Sequence, residues 1–143
     1  MNFNWLSYLK VAEILLQEEN SSSSQETNLS LKEAKIRSSI SRAYYSAFCL
    51  ARNYLRDIEK DSELQNLTTN VHKYVINKLL EAENRELREL GEDLRTLRKM
   101  RNSVDYDDKT KNCYILFTNA EESLNIASKI IKVLDELSKK PEK

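Results

Sequence analysis

Arg101 interrupts a leucine stripe without breaking its period. Leu87, Leu90, Leu94, Leu97, Arg101 and Val104 recur at steps of three and four, which puts them on one face of a helix. A permanently charged guanidinium therefore lies in line with apolar side chains, and Asn102, Asp105 and Tyr106 follow it directly in the run RNSVDYDD. The planar fork of an arginine suits the oxygens of phosphate or carboxylate, so this polar knot is the first candidate site. Two readings of Arg101 stand side by side. It is a cation for a ligand or partner, or a structural residue in the last turn of its helix, drawn to the carbonyl end and paired with Asp105 at i+4. His72 is the sole histidine, and no other side chain has an unperturbed pKa suited to moving a proton near pH 7. It either completes the site or is a cap, a packing residue or a simply exposed side chain at the start of a helix.

These residues need elements to hold them. Trp5, Leu9, Ala12 and Leu16 predict a first amphipathic helix ending near Glu19, and the aperiodic run NSSSSQETN predicts a flexible loop over about 20–29. Ser30 with Glu33 has the form of a capping box that opens a long second helix. Its core face reads Ile36, Ile40, Ala43, Tyr44, Ala47, Phe48, Ala51, Leu55 and Ile58, which makes it the central helix and Tyr44 and Phe48 packing residues. Beside this face runs a second line, Ser38, Arg42, Tyr45, Cys49 and Arg52. Its cations and aromatics suit either a homodimer seam or a solvated flank. Arg42 and Tyr45, with Arg98 on the fourth helix, are the candidate binding residues.

A polar linker from about Lys60 to Asn70 leads to a short third helix with Val71, Val75, Ile76, Leu79 and Leu80 as apolar positions. Gly91, in the fourth helix, marks a junction or a tight crossing. After DYDDKTKNC, the run YILF is too short to establish a strand, and Thr118 with Glu121 suggests a second capping box. The last helix turns Ala120, Leu124, Ala127, Ile131, Leu134 and Leu137 inward, and 139–143 forms a fraying charged tail. Asp107 and Asp108 either bind a basic partner or cap their turn.

Composition narrows the class. One glycine, one proline and 32% charged residues leave almost no turn chemistry for a many-stranded sheet. The expected architecture is all-α, an up-and-down bundle of about five helices forming a single domain over 1–143. Lys and Arg together number 23 and Asp and Glu 23, so nucleic acid is not coated by bulk charge and any phosphate contact is local. Cys49 and Cys113 lie far apart with no CxxC, which gives no metal site and suggests buried thiols in a reducing compartment. No cofactor is implied. No apolar run approaches a membrane span and no leader pattern is evident, so the expected location is cytoplasmic.

Two stretches taken together, SRAYYSAFCLARNYL and LRTLRKMRNSVDYDD, resemble the HEPN superfamily of helical domains. The likeness is to its small stand-alone prokaryotic branch, with a YYxAF segment, an intervening His-Lys and a terminal R-x-x-x-DYDD. Here these are Tyr44, Tyr45, Ala47 and Phe48, then His72 and Lys73, then Arg101, Asp105, Tyr106, Asp107 and Asp108. The resemblance implies a toxin–antitoxin or defence setting and a homodimer that acts on RNA or a nucleotide where two RNSVDY segments converge. In that scheme Arg101 holds phosphate, Asn102 and Asp105 orient it, and Tyr106 donates a hydrogen bond or stacks on a base.

Catalytic members of the superfamily place a His after four to six intervening residues from the Arg, where this chain has Tyr106, Asp107 and Asp108. Metal-independent RNA cleavage needs a group of near-neutral pKa to move a proton, and an unperturbed phenol is only about 0.1% ionised at pH 7. Loss of a matched acid or base forfeits about 10² to 10⁴ in rate, so the implied ribonuclease activity is reduced or lost unless His72 supplies the proton. The alternative is a non-catalytic binding module that pairs with a nucleotidyltransferase, an antitoxin or another effector.

Overall fold

The computed structural model describes residues 2–20, 29–109 and 112–139. The elements are α1 (Leu6–Asn20), α2 (Leu29–Asp57), α3 (Val71–Leu80), α4 (Arg85–Tyr106) and α5 (Cys113–Ser138). The fold is all-α, as the composition predicts, and no strand occurs among the described residues. Most of the expected loop at 20–29, and the tail beyond Lys139, lie outside them.

α2 is the central element and packs against α1, α3, α4 and α5. Along its 29 residues Ile36, Ile40, Ala43, Tyr44, Ala47, Phe48, Ala51 and Leu55 are buried, while the expected last member, Ile58, lies past the helix end and is exposed. Small residues let α1 approach closely. Ser39 Oγ donates to the Ala12 carbonyl at 2.7 Å and Ser46 Oγ to the Trp5 carbonyl at 2.8 Å, so two fully buried hydroxyls are satisfied across that contact. A second core group, Leu16, Ile36, Ile40, Val104, Leu116 and Ala120, closes the other end of α2 against α4 and α5.

The helix starts differ from the capping boxes expected. α2 already runs at Leu29, so Ser30 lies inside it. α5 opens at Cys113 under Asn112, whose side chain accepts from the amides of Tyr114 and Ile115 at 2.9 and 3.2 Å. YILF is therefore the first turn of that helix, and Thr118, one turn in, returns its hydroxyl to the Tyr114 carbonyl at 3.1 Å. Asn84 caps α4 in the same way as Asn112. On α5 the fully buried isoleucine is Ile130, with Ile131 half-buried beside it. The 60–70 linker is anchored rather than free: Leu64 is buried, and Asp61 Oδ1 accepts from the amides of Glu63 and Leu64 and from the Tyr74 hydroxyl.

Gly91 marks the tight crossing. A Cβ there would stand 2.9 Å from Leu79 Cβ and 3.0 Å from the Leu80 amide nitrogen, so α3 and α4 touch nearly backbone to backbone. In an open helix, Gly to Ala gains about 1 kcal/mol. Here the neighbours are a Cβ and a main-chain atom that cannot swing aside. Gly91→Ala is therefore expected to destabilise the protein by about 1–3 kcal/mol, read as a lower denaturant midpoint at unchanged m-value.

Candidate functional site

The leucine stripe is buried along its whole length, Arg101 included. α4 runs on to Tyr106, so Arg101 sits ahead of the last turn and not within it. The residue is only 5% exposed. Its guanidinium carbon lies 5.0 Å from the Tyr44 ring centre, 5.1 Å from that of Tyr45 and 5.9 Å from that of Tyr106. Nη1 donates to the Tyr106 hydroxyl at 3.3 Å and stands 3.7 Å from Asp105 Oδ2, while Nε is buried without a hydrogen-bond partner. Both readings of Arg101 meet here: the i+4 pairing with Asp105 exists but is long, and most of the cation's surroundings are aromatic faces.

Tyr44 links this cation to His72. The Tyr44 hydroxyl lies 2.6 Å from His72 Nδ1, and the imidazole stacks on Phe48 at 4.0 Å between ring centres. Burial raises the Tyr44 phenol well above its ordinary value, although Arg98 and Arg101 oppose this. The His72 imidazole is pushed down to about 4, first by burial and then by Arg101, Arg98 and Arg52. The phenol therefore keeps its proton and donates it to a neutral imidazole, which leaves Nε2 as the protonated nitrogen.

The other candidates are arranged around this pair. Asp105 accepts from Ser41 Oγ at 3.2 Å, which ties the end of α4 to α2. Tyr106 is 73% exposed and covers Arg101 from outside. Asn102 is exposed, about 100° around the helix from Arg101, and is not brought into the cluster. Arg98 is half-buried beside Tyr44 and His72, and its Nε likewise has no partner. Tyr45 lies between Arg101 and His72, whereas Arg42 is exposed over Tyr8 at 4.7 Å. Asp107 is the C-cap residue of α4, and its Oδ1 accepts from the Lys109 amide. Cys49 is buried, which raises its thiol pKa, and Cys113 is half-buried; both are free.

Sequence reasoning missed two residues. Tyr44 is the core residue expected and also the polar link between Arg101 and His72. Arg37 closes the end of α4, its Nη1 donating to the carbonyls of Val104 and Asp107 and its Nη2 to that of Lys109, each at 2.8 Å. Glu33 holds Arg37 in place from one turn away. The only sequence signal was an i,i+4 Glu-Arg pair, a pattern that most often means a solvated surface.

The chain is thus an α-helical bundle with an aromatic-enclosed arginine near the end of its fourth helix. The HEPN domain family model matches residues 15–137, most of the chain, and the protein belongs to that family. No curated protein and no solved structure matches it. Among the described residues, no helix is long and apolar enough to cross a membrane.

The His72 geometry has a pH signature. Because the folded imidazole titrates near 4 instead of 6.5, the unfolded chain takes up the proton first as pH falls. Its contribution to stability is complete above about pH 6.5 and is lost on the way down through pH 4. The loss is expected to be on the order of 2–3 kcal/mol by urea unfolding, and the step between these pH values should be missing from His72→Phe.

Proposed function

We propose that this HEPN protein acts by association and not by cutting RNA. It is a helical binding module of a toxin–antitoxin or defence system that pairs with a nucleotidyltransferase or another effector protein. The observation that supports this reading is the double engagement of Tyr44. Its ring closes on Arg101, at 5.0 Å, and its hydroxyl occupies His72 Nδ1, at 2.6 Å.

Metal-independent cleavage needs a cation open to phosphate and a group that exchanges protons near pH 7. Arg101 is enclosed, and an imidazole titrating near 4 is an acid in very few molecules at neutral pH. The position where catalytic relatives carry their His holds Tyr106, a phenol already accepting from Arg101.

The same corner suits self-association. Tyr106, Tyr114 and Ile115 are 73%, 81% and 59% exposed where α4 turns into α5. Dimerisation is common among HEPN domains, and a homodimer through this corner would bring two RNSVDY segments together. A second reading, slow cleavage of RNA or a nucleotide in that cleft, draws support from Arg98 and Arg101. Each has a buried Nε without a partner, a deficit of about 1–3 kcal/mol that a phosphate oxygen would relieve.

Incubation with mixed RNA in the absence of metal separates the two readings. Wild type, Arg101→Ala and His72→Ala are all expected to leave the RNA intact; cleavage by wild type that disappears in Arg101→Ala would install the nuclease reading instead. In light scattering, wild type should have the mass of a dimer and Ile115→Glu that of a monomer. A monomeric wild type removes the interface from the proposal.

A further inference from the structure

The end of the bundle away from the Arg101 cluster holds a groove of about 760 Å³, formed by the last turn of α2, the linker after it, α3 and the turn into α4. Leu87, on its lining, and Arg101 stand about 21 Å apart along α4. Glu59, Asp61 and Glu63 of the linker and Glu81 and Glu83 of the turn line the groove, against two cations, Lys60 and Lys78. We infer that this groove receives a Lys- and Arg-rich segment of a partner protein. The inference rests on the association reading in one respect, that the occupant belongs to another protein.

Charge supplies the first argument. In a chain whose formal charges cancel, Glu33, Asp57, Glu89, Asp93 and Asp135 each have a Lys or Arg within 3.2 Å. The five carboxylates of the groove are in no ion pair among the described residues. Asp61 is spent on the Tyr74 hydroxyl and on two linker amides, whereas the four glutamates are exposed at the rim. Like charges left uncompensated repel, so a cation brought among them relieves that repulsion as well as adding attraction. Among the described residues no three Asp, Glu, His or Cys converge as metal ligands do. The charges are therefore spread for several separate cations and not for one ion.

The lining supplies a second argument that does not depend on net charge. Tyr54, Leu55 and Leu87 are buried beneath the rim. Tyr54 is only 8% exposed and its hydroxyl donates to Glu59 Oε2 at 3.3 Å, yet its oxygen accepts no hydrogen bond from any described residue. A buried acceptor with unused lone pairs calls for an N–H or O–H donor. Burial, and then Glu59, pushes this phenol up to about 12, so it keeps the proton it shares with Glu59. Lys78 lies over the Tyr74 ring at 5.7 Å, so a ring face on the same lining already holds an ammonium group. Ser62 and Asn84 add hydroxyl and amide donors. A main-chain carbonyl can accept from them, and a linear polyamine, which has no acceptor, cannot. The methylene stems of Lys and Arg suit the apolar floor while their heads reach the rim.

A fluorescein-labelled octapeptide of alternating Lys and Arg is titrated with the full chain at low salt and followed by anisotropy, beside a counterpart in which every residue is Gln. The expected result is micromolar binding of the basic peptide, none of the Gln peptide, and weakening as salt is raised. Glu59→Gln with Glu63→Gln, and Glu81→Gln with Glu83→Gln, should each weaken binding about tenfold. Glu121→Gln with Glu122→Gln, the same change of charge on an exposed face of α5, should leave it unchanged.

No binding of the basic peptide, or binding that neither groove pair weakens, overturns the inference. So does an equal loss in the α5 pair, which would mean attraction to the surface at large. Displacement of the peptide by an equal concentration of spermidine also overturns it, in favour of a free polyamine. RNA integrity and oligomer mass, which test the association reading, are measured without any peptide, so either reading can fail while the other stands.

Discussion

A guanidinium that is enclosed by aromatic rings, with the Asp105 carboxylate 3.7 Å away, sets the register of this bundle. Removing a cation from water costs several kcal/mol, and Arg101 recovers this through ring faces, each worth up to about 2 kcal/mol when desolvated. The arrangement works only if Tyr44 and Tyr45 of α2 meet the same level of α4. Tyr44 then carries the constraint to α3 through His72. Three helices are thus aligned by one polar contact group inside a mainly apolar interior, where leucine packing alone would tolerate a slip.

Burial drives the two ends of the Tyr44–His72 hydrogen bond apart in acidity, the phenol upward and the imidazole downward. Donor and acceptor roles are therefore fixed at physiological pH. A group that trades protons works best with an affinity close to the pH of the medium, and burial moves both of these away from it. The histidine here accepts its hydrogen bond on α3, away from the helix that carries Arg101 and Tyr106.

What could be read from the sequence was what repeats. The α4 stripe, Arg101 within it, the α2 core face and the five-helix count all follow from a helical period, and each is found in the structure. Local polar chemistry was less legible. Ser30 and Thr118 fit a capping box by spacing, but the same Ser/Thr-x-x-Glu pattern arises on any exposed helix face; α2 already runs at Leu29, and Asn112 starts α5 instead. YILF looked uniformly apolar although only Leu116 of the four is buried. Arg37 escaped because its partners are main-chain carbonyls 67 to 72 residues away, and carbonyls carry no sequence signature. Tyr44 was half legible: its place on the core face showed, but the use of its hydroxyl did not.

Arg37 also determines how Arg101 can be uncovered. By bonding the carbonyls of Val104, Asp107 and Lys109, it pins the main chain on both sides of Tyr106. The backbone there has no freedom to lift away, so the ring that shields the cation departs only by rotating about its own side-chain bonds. For an exposed aromatic, that is a picosecond-to-nanosecond hop, far faster than the microsecond-to-millisecond swing of a loop. Access to the guanidinium is thus a shutter and not a hinge. Such a hop bares only the outer side of the guanidinium, whose other faces stay against Tyr44 and Tyr45.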